Sequence, residues 1–436
     1  MSLTSKDGFC KALYISSFAL LGLFIFLEHT DFARAIKNAS LYIALFFALI
    51  YAVLSSKSAL ENLKANAKAI KLGLIFALCF VLYVFGLSYA PYDDNYPSLL
   101  RAFRHFGRAL AFLLVILLVF NGSKKPILWL FSSFVAAFIV GSADDAYLLL
   151  GSLSNVSSHT YEQARLVSRG YADFVDRFLP LGLCAVLLAT RLRYKVLIGI
   201  LCVLVPLILD IFTGARGSWL ACIITLTLFA LLSQKERIKS LWHKHLRLCL
   251  ASIVCLLGLG VLLVSHSTVL QYKLAQGFDS SGRTQIIKER SLGIANANRL
   301  IFGLGYGKEQ YDSALIAADG LGMPTAKKYG TIDAGRQNYW NDEPFFLGYF
   351  YYYGVFGVCC IFALFIYVLI ASFKGFKHTQ SPLFLAVFLS TIAYFGLRGL
   401  FECYNLRALY LFYLLGLLMM SLRAFTKDSN EKCTNS

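Results

Sequence analysis

Charge is what this sequence has least of. Only 15% of its 436 residues are charged against 58% that are hydrophobic, and mean hydropathy is +0.65. A chain with so little polar surface cannot cover itself against water, so a soluble fold is excluded and lipid is the solvent for much of its length. Acids are scarcer than bases, 24 against 41, for a net charge of +17. Common chemical motifs are missing too. The seven histidines show no H-E-x-x-H or comparable metal spacing, no Walker A loop is present to drive transport with ATP, and the eleven cysteines form no disulfide framework. Most of them, Cys79, Cys184, Cys202, Cys255, Cys359 and Cys360 among them, fall in apolar stretches and read as small core residues. No metal site and no cofactor is expected.

What is present is a series of long apolar runs. Twelve are long enough, or nearly so, to cross a bilayer: roughly 12–27, 40–55, 70–89, 108–121, 126–141, 178–190, 196–212, 218–233, 247–265, 345–371, 382–398 and 406–421. The first follows Lys6 and Lys11 without a small-residue cleavage site after Leu27, which favours an uncleaved first helix over a signal peptide. The expectation is an all-α polytopic membrane protein of about 12 transmembrane helices. It divides into residues 1–265 with helices 1–9, a large loop over 266–344, and residues 345–436 with helices 10–12 and a tail.

Orientation follows from the lysines. With the N-terminus inside, cytoplasmic segments collect 21 of the 41 basic residues and 5 of the 24 acids, a net of +16. The short loops are clear: Lys57, Lys64, Lys68 and Lys71; Lys124 and Lys125; Arg191, Arg193 and Lys195; Lys235, Arg237, Lys239, Lys244 and Arg247; Lys374 and Lys377. Both termini come out cytoplasmic, and the high pI needs no nucleic acid, since anionic inner-leaflet lipid explains lysine clusters beside spans. Arginines distribute the other way. Of 19, 14 fall on the external face, among them Arg101, Arg104, Arg108, Arg165, Arg169, Arg177, Arg216, Arg283 and Arg398. Lysine suits topology, whereas the planar fork of arginine suits phosphate or carboxylate and keeps its charge when desolvated. The set suggests an anionic ligand approached from outside.

Arg216 stands out. It lies in Thr213-Gly214-Ala215-Arg216-Gly217-Ser218-Trp219-Leu220-Ala221, wedged between two apolar runs, and so short a turn cannot carry it far into water. An unpaired charge there costs several kcal/mol, so an anion is expected to meet it. Arg101, Arg104 and Arg108 share one helical face beside His105, and Arg165 and Arg169 lie one turn apart; each set reads either as a phosphate clamp or as surface charge. The loop from His266 to Glu343 is nearly eighty residues of polar, Gly-rich chain, a length that usually carries function. It contains Ser280-Ser281-Gly282-Arg283-Thr284, where a helix can begin near Arg283, and the glycine-punctuated turn Ile301-Phe302-Gly303-Leu304-Gly305-Tyr306-Gly307. That turn follows no strand of a βαβ unit, so a dinucleotide site is not expected. Trp219, Tyr339, Trp340, Tyr349 and Tyr351 could stack on sugars, although chance placement at the membrane interface accounts for most such aromatics.

Taken together, the Thr-Gly-x-Arg-Gly-x-Trp-Leu-Ala motif, the Ser-Gly-Arg-Thr segment, the Phe-Gly-x-Gly-x-Gly turn and the Gly354-x-x-Gly357 pair resemble the O-antigen ligase and polymerase superfamily. The likeness covers the order of elements from about residue 160 onward. It implies a GT-C-like, metal-independent inverting glycosyltransferase of the bacterial inner membrane, with its active site facing the periplasm. The donor would be an undecaprenyl pyrophosphate-linked glycan. Ligases pass that glycan to the lipid A core, polymerases to another lipid-linked glycan, and related oligosaccharyltransferases to protein; the excess of external arginine favours a phosphorylated acceptor and hence a ligase. A polytopic exporter or flippase is the non-enzyme alternative, against which no paired broken helices appear in matching halves.

The family carries a His-Asn pair eleven residues before the first glycine of the Gly-x-x-Gly element, with the histidine as base. Here that position holds Glu343, in Asn341-Asp342-Glu343-Pro344, and no histidine lies between His266 and His378. Glu343 or Asp342 takes the base role, or the segment is simply a helix start with acids near its positive end and proline at its first position. The chemistry itself needs a cation for the departing phosphate and a base for the hydroxyl proton. Arg216 and Arg283 are the candidates for the first, Glu343 for the second, and Arg101, Arg104, Arg108, Arg165 and Arg169 for holding donor or acceptor phosphates.

Overall fold

The computed structural model describes residues 3–30, 33–95, 98–154, 160–213, 215–233, 291, 293–307, 310, 313–314, 330–333, 336–339, 345–400 and 407–434, with backbone alone for 3–6, 34, 151–154, 160–169, 330–339, 345–347, 407 and 426–434. Twelve helices are used below: α1 (Leu3–Thr30), α2 (Arg34–Leu54), α3 (Ser56–Ala69), α4 (Lys71–Tyr89), α5 (Leu99–Val119), α6 (Lys124–Ser154), α7 (Thr160–Leu188), α8 (Leu192–Phe212, with a π turn over Ile200–Leu204), α9 (Arg216–Ser233), α10 (Phe345–Thr379), α11 (Pro382–Leu400, π-helical from Thr391 to Leu397) and α12 (Arg407–Thr434). Ten of the described helices are long and apolar enough to cross a membrane, so the chain is a multi-pass membrane protein. α7, with Asp173, Asp176 and Arg177 in its described part, is outside that set although it packs against α6 and α11. The expected span 247–265 lies outside the described residues. Of the large loop only parts are described, including a short antiparallel hairpin, β1 (Gly330–Asp333) with β2 (Arg336–Tyr339), in which Gly330 pairs with Tyr339 and Asp333 with Arg336. This hairpin departs from a purely helical chain.

α12 is the axis of the bundle. Every residue from Ala408 to Ser421 is buried, and a helix that is hydrophobic all round must be surrounded by others. Its neighbours are α5, α10, α11, α3 and α6. Three buried serines inside the spans satisfy their hydroxyls locally: Ser17, Ser372 and Ser421 each donate to the carbonyl four residues earlier.

α3 is polar for its length and was expected only as a lysine-bearing loop. It runs across the C-terminal end of α5, where Asn66 Nδ2 donates to Phe120 O at 2.8 Å and to Leu117 O at 3.1 Å, and Asn62 Nδ2 reaches Leu118 O at 3.4 Å. The last carbonyls of a helix have no partner within it, and these two asparagines provide one inside the protein.

α10 is broken at Gly354, whose φ of 62° and ψ of −170° lie in a region that only glycine occupies readily. The break exposes backbone groups on both sides, and the glycine turn of the large loop docks there to meet them. Leu304 N and Gly305 N donate to Tyr351 O and Tyr352 O, both at 2.9 Å, while Val355 N donates to Leu300 O at 3.0 Å. Gly303, at φ +79°, passes so close to Gly354 that a Cβ on either would overlap the other strand's backbone. Two sequence motifs some fifty residues apart are therefore one structure: the loop glycines exist to fit the helix glycine.

Candidate functional site

The helix ends that carry Arg101, Arg104, Arg108, Arg165, Arg169 and Arg216 lie at one end of the bundle, the end where residues 299–307, 310 and 313 dock. Tyr92 N donates to Leu304 O at 2.8 Å, and Tyr83 Oη to Phe302 O at 2.8 Å. Asp93 N donates to Gln310 Oε1 at 2.7 Å, and Gln310 Nε2 returns a bond to Asp93 O at 2.9 Å. Ser313 Oγ donates to Asp93 Oδ2 at 2.7 Å, and this bond is the main reason that the Asp93 carboxyl sits below the ordinary carboxylate range. We call this the loop end.

The Thr213–Trp219 turn is built from its own side chains. Thr213 Oγ1 donates to Asp210 O at 2.7 Å and accepts from Ala215 N at 3.2 Å, while the Trp219 indole donates to Asp210 O at 3.1 Å. Ser218, fully buried, has its hydroxyl 2.9 Å from Asp176 Oδ1 and 2.9 Å from Asp210 Oδ2. Thr213, Ser218 and Trp219 are thus spent on holding the turn. Arg216, half-buried, stands at the first position of α9, where the positive end of the helix adds to the guanidinium charge.

Behind that turn lies a buried ionic network that apolar-run reading did not find. Asp176 pairs with Arg398 at 3.3 Å, and the two side chains are 0% and 1% exposed. The next residue, Arg177, pairs with Asp173 at 2.7 Å and donates to Tyr394 Oη at 3.1 Å; Tyr394 Oη in turn donates to Asp173 at 3.2 Å. The Arg177 guanidinium also lies over the Tyr394 ring, 5.0 Å from its centre, and the hydroxyl of Tyr410 donates to Arg177 O. Three carboxylates, Asp173, Asp176 and Asp210, thus share two arginines, and α7, α8, α9 and α11 are tied together through them. Charges buried this deeply are stable only when paired and hydrogen-bonded.

A second network holds the α5 arginines. Glu28 on α1 accepts from Lys37 at 2.9 Å, from Arg108 at 3.1 Å and from Tyr413 Oη at 3.1 Å. Arg108 also donates to Arg104 O at 2.9 Å and lies 2.9 Å from His105 Nδ1. Arg108 therefore has a structural anion. Arg101 and Arg104 are exposed on the same helix, and His105 and Phe106 pack on Tyr306 of the glycine turn, which joins this face to the docked loop.

The other expected residues fare differently. Arg283 and Glu343 lie outside the described residues, and so do Asp342 and Trp340. Arg165 and Arg169 fall on α7, described there by backbone alone, at its N-terminal and hence loop end. Tyr349 and Tyr351 are buried, Tyr349 accepting from Ala408 N at 3.0 Å, so they belong to the core and offer no face to a sugar. Among the described residues, no group of three or more His, Cys, Asp or Glu could hold a metal ion.

No protein-family model matches the chain, and no curated protein matches it.

Proposed function

We propose that this protein is a glycosyltransferase of the O-antigen ligase kind, which moves a glycan from undecaprenyl pyrophosphate to the lipid A core at the periplasmic face of the inner membrane. The observation that carries the reading is the turn from Thr213 to Trp219: its polar side chains are locked to Asp210 and Asp176, and they hold Arg216 at the head of α9. The loop end gathers further support, with Arg101 and Arg104 on α5 and the glycine turn seated in the break of α10. Under the orientation given by the lysines, that end is external.

In this reading the bond from the sugar's anomeric carbon to the pyrophosphate oxygen breaks as an acceptor hydroxyl bonds to that carbon from the opposite face. The electron pair of the broken bond leaves with the pyrophosphate, whose charge Arg216 and Arg283 stabilise. The hydroxyl proton passes to Glu343 or its neighbour Asp342. A carboxylate is a weak base, and it suffices where the donor bond is largely broken before the hydroxyl attacks.

Complementation of a deletion strain, read on lipopolysaccharide gels, tests this. Loss of ligation leaves bare core, whereas loss of polymerisation leaves core bearing one unit. Arg216→Ala should lower transfer by about 10²–10³ with the protein still at wild-type level in the membrane, and Arg216→Lys should rescue little, because a point charge lacks the bidentate fork. Core plus one unit in the deletion strain would reassign the protein to polymerisation; near-normal activity of Arg216→Lys would remove the fork from the mechanism. Glu343→Gln should be nearly inactive where a helix-capping role would leave it active and at most about 1 kcal/mol less stable.

A further inference from the structure

A cavity of about 780 Å³ lies at the opposite end of the bundle from Arg216, between α1, α2 and the start of α6. Its lining is graded along the helices. At the mouth are Lys11 and Lys125, with a polar patch where Tyr14 Oη lies 3.1 Å from both Asn121 Oδ1 and Ser123 Oγ. Deeper in, the walls are Ile15, Phe18, Ala19 and Trp129. Trp129 is fixed rather than loose, since its indole N–H donates to Phe18 O at 3.1 Å while more than half of the residue remains exposed.

We infer that this groove binds an anionic glycerophospholipid, with the phosphate between Lys11 and Lys125 and one acyl chain along Ile15, Phe18, Ala19 and Trp129. The length fits: Lys11 to Ala19 spans about 12 Å of helix, close to the roughly 15 Å of hydrocarbon in one leaflet. The charge fits as well, because a cationic rim over an apolar slot attracts a lipid with a net negative headgroup and gives a zwitterionic one no net attraction. The polar rim and the apolar depth run in the same direction on α1 and α6, which an amphiphile satisfies and a soluble anion does not. This inference is independent of glycosyl transfer.

The test uses the full-length protein with Trp219, Trp242 and Trp340 changed to Phe, so that Trp129 alone fluoresces. It is placed in phosphatidylcholine vesicles containing rising fractions of brominated-tail phosphatidylglycerol or brominated-tail phosphatidylcholine. Quenching by the anionic lipid should reach its midpoint at an about 25-fold lower fraction than quenching by the zwitterionic one, two lysines contributing about fivefold each. Lys11→Gln with Lys125→Gln should erase the difference, at about fivefold per lysine, and Ala19→Leu should weaken quenching by both lipids. Should the double variant fail to fold, high salt on the Lys-containing protein is the second measurement, and it should collapse the preference by screening the lysines. Equal midpoints for the two lipids, or a preference that survives both the double substitution and high salt, would overturn the inference.

Discussion

At the scale of single residues, the Asp176–Arg398 pair shows what buried charge does in this protein. It contributes less through attraction than through the cost of breaking it, because either partner left alone is an uncompensated charge out of water. Arg398→Leu should therefore destabilise the detergent-solubilised protein by about 3–5 kcal/mol, read as a lowered thermal midpoint. Asp176→Asn combined with Arg398→Gln removes both charges and keeps hydrogen-bonding capacity, so it should recover most of that loss. If the double variant melts as low as the single one, the pair matters through contacts other than charge. Arg216 belongs to a different category although it lies only two residues from Ser218: it stands at the head of α9, and its replacement is expected to cost activity while leaving the fold intact.

At the scale of elements, the spans with plain apolar character could be read from sequence closely: 70–89 became Lys71–Tyr89, 196–212 became Leu192–Phe212, and 218–233 became Arg216–Ser233. The ones that escaped did so for one physical reason. An apolar-run criterion treats every charge as a stop, yet α7 begins at Thr160 rather than near 178, because Asp173 and Arg177 pair with each other one turn apart and both bond Tyr394, more than two hundred residues away. α5 likewise starts at Leu99 rather than 108, with Arg108 answered by Glu28. No local pattern can reveal a partner that distant. The glycines, by contrast, were legible as motifs but not as a contact. Gly354→Ala and Gly303→Ala each force a side chain into a positive-φ site and into facing backbone, at a cost of about 1–3 kcal/mol in strain before any clash. Hydrogen exchange should then accelerate in residues 299–307 and at the start of α10 together, since they share one set of hydrogen bonds. Gly357→Ala is the contrast, because what it meets is the ring of Tyr83 and the side chain of Tyr353 rather than another strand's backbone. Exchange confined to only one of the two segments would show that turn and helix are not coupled.

At the scale of the whole molecule, two ends of one bundle carry opposite chemistry. The loop end holds arginines paired with buried acids, and the opposite end holds lysines, asparagine caps on α5 and the lysine-rimmed groove. The connectivity agrees with an odd–even alternation of crossings in which Lys57, Lys64, Lys124 and Lys125 share one side and Arg101, Arg104 and Arg216 the other. Positive charge in short loops is retained on the cytoplasmic side during insertion, so the lysine end should be cytoplasmic and the loop end external. In a background with all eleven cysteines replaced, single cysteines at Lys64 and Lys239 should be shielded from an impermeant thiol reagent in intact spheroplasts, and one at Gly214 should be labelled. Permeabilised cells should label all three, which separates burial from sidedness. Labelling of Lys239→Cys in intact spheroplasts would invert the topology, and the glycosyl-transfer reading would fall with it, because a lipid-linked glycan presented on the outer face could not then reach Arg216.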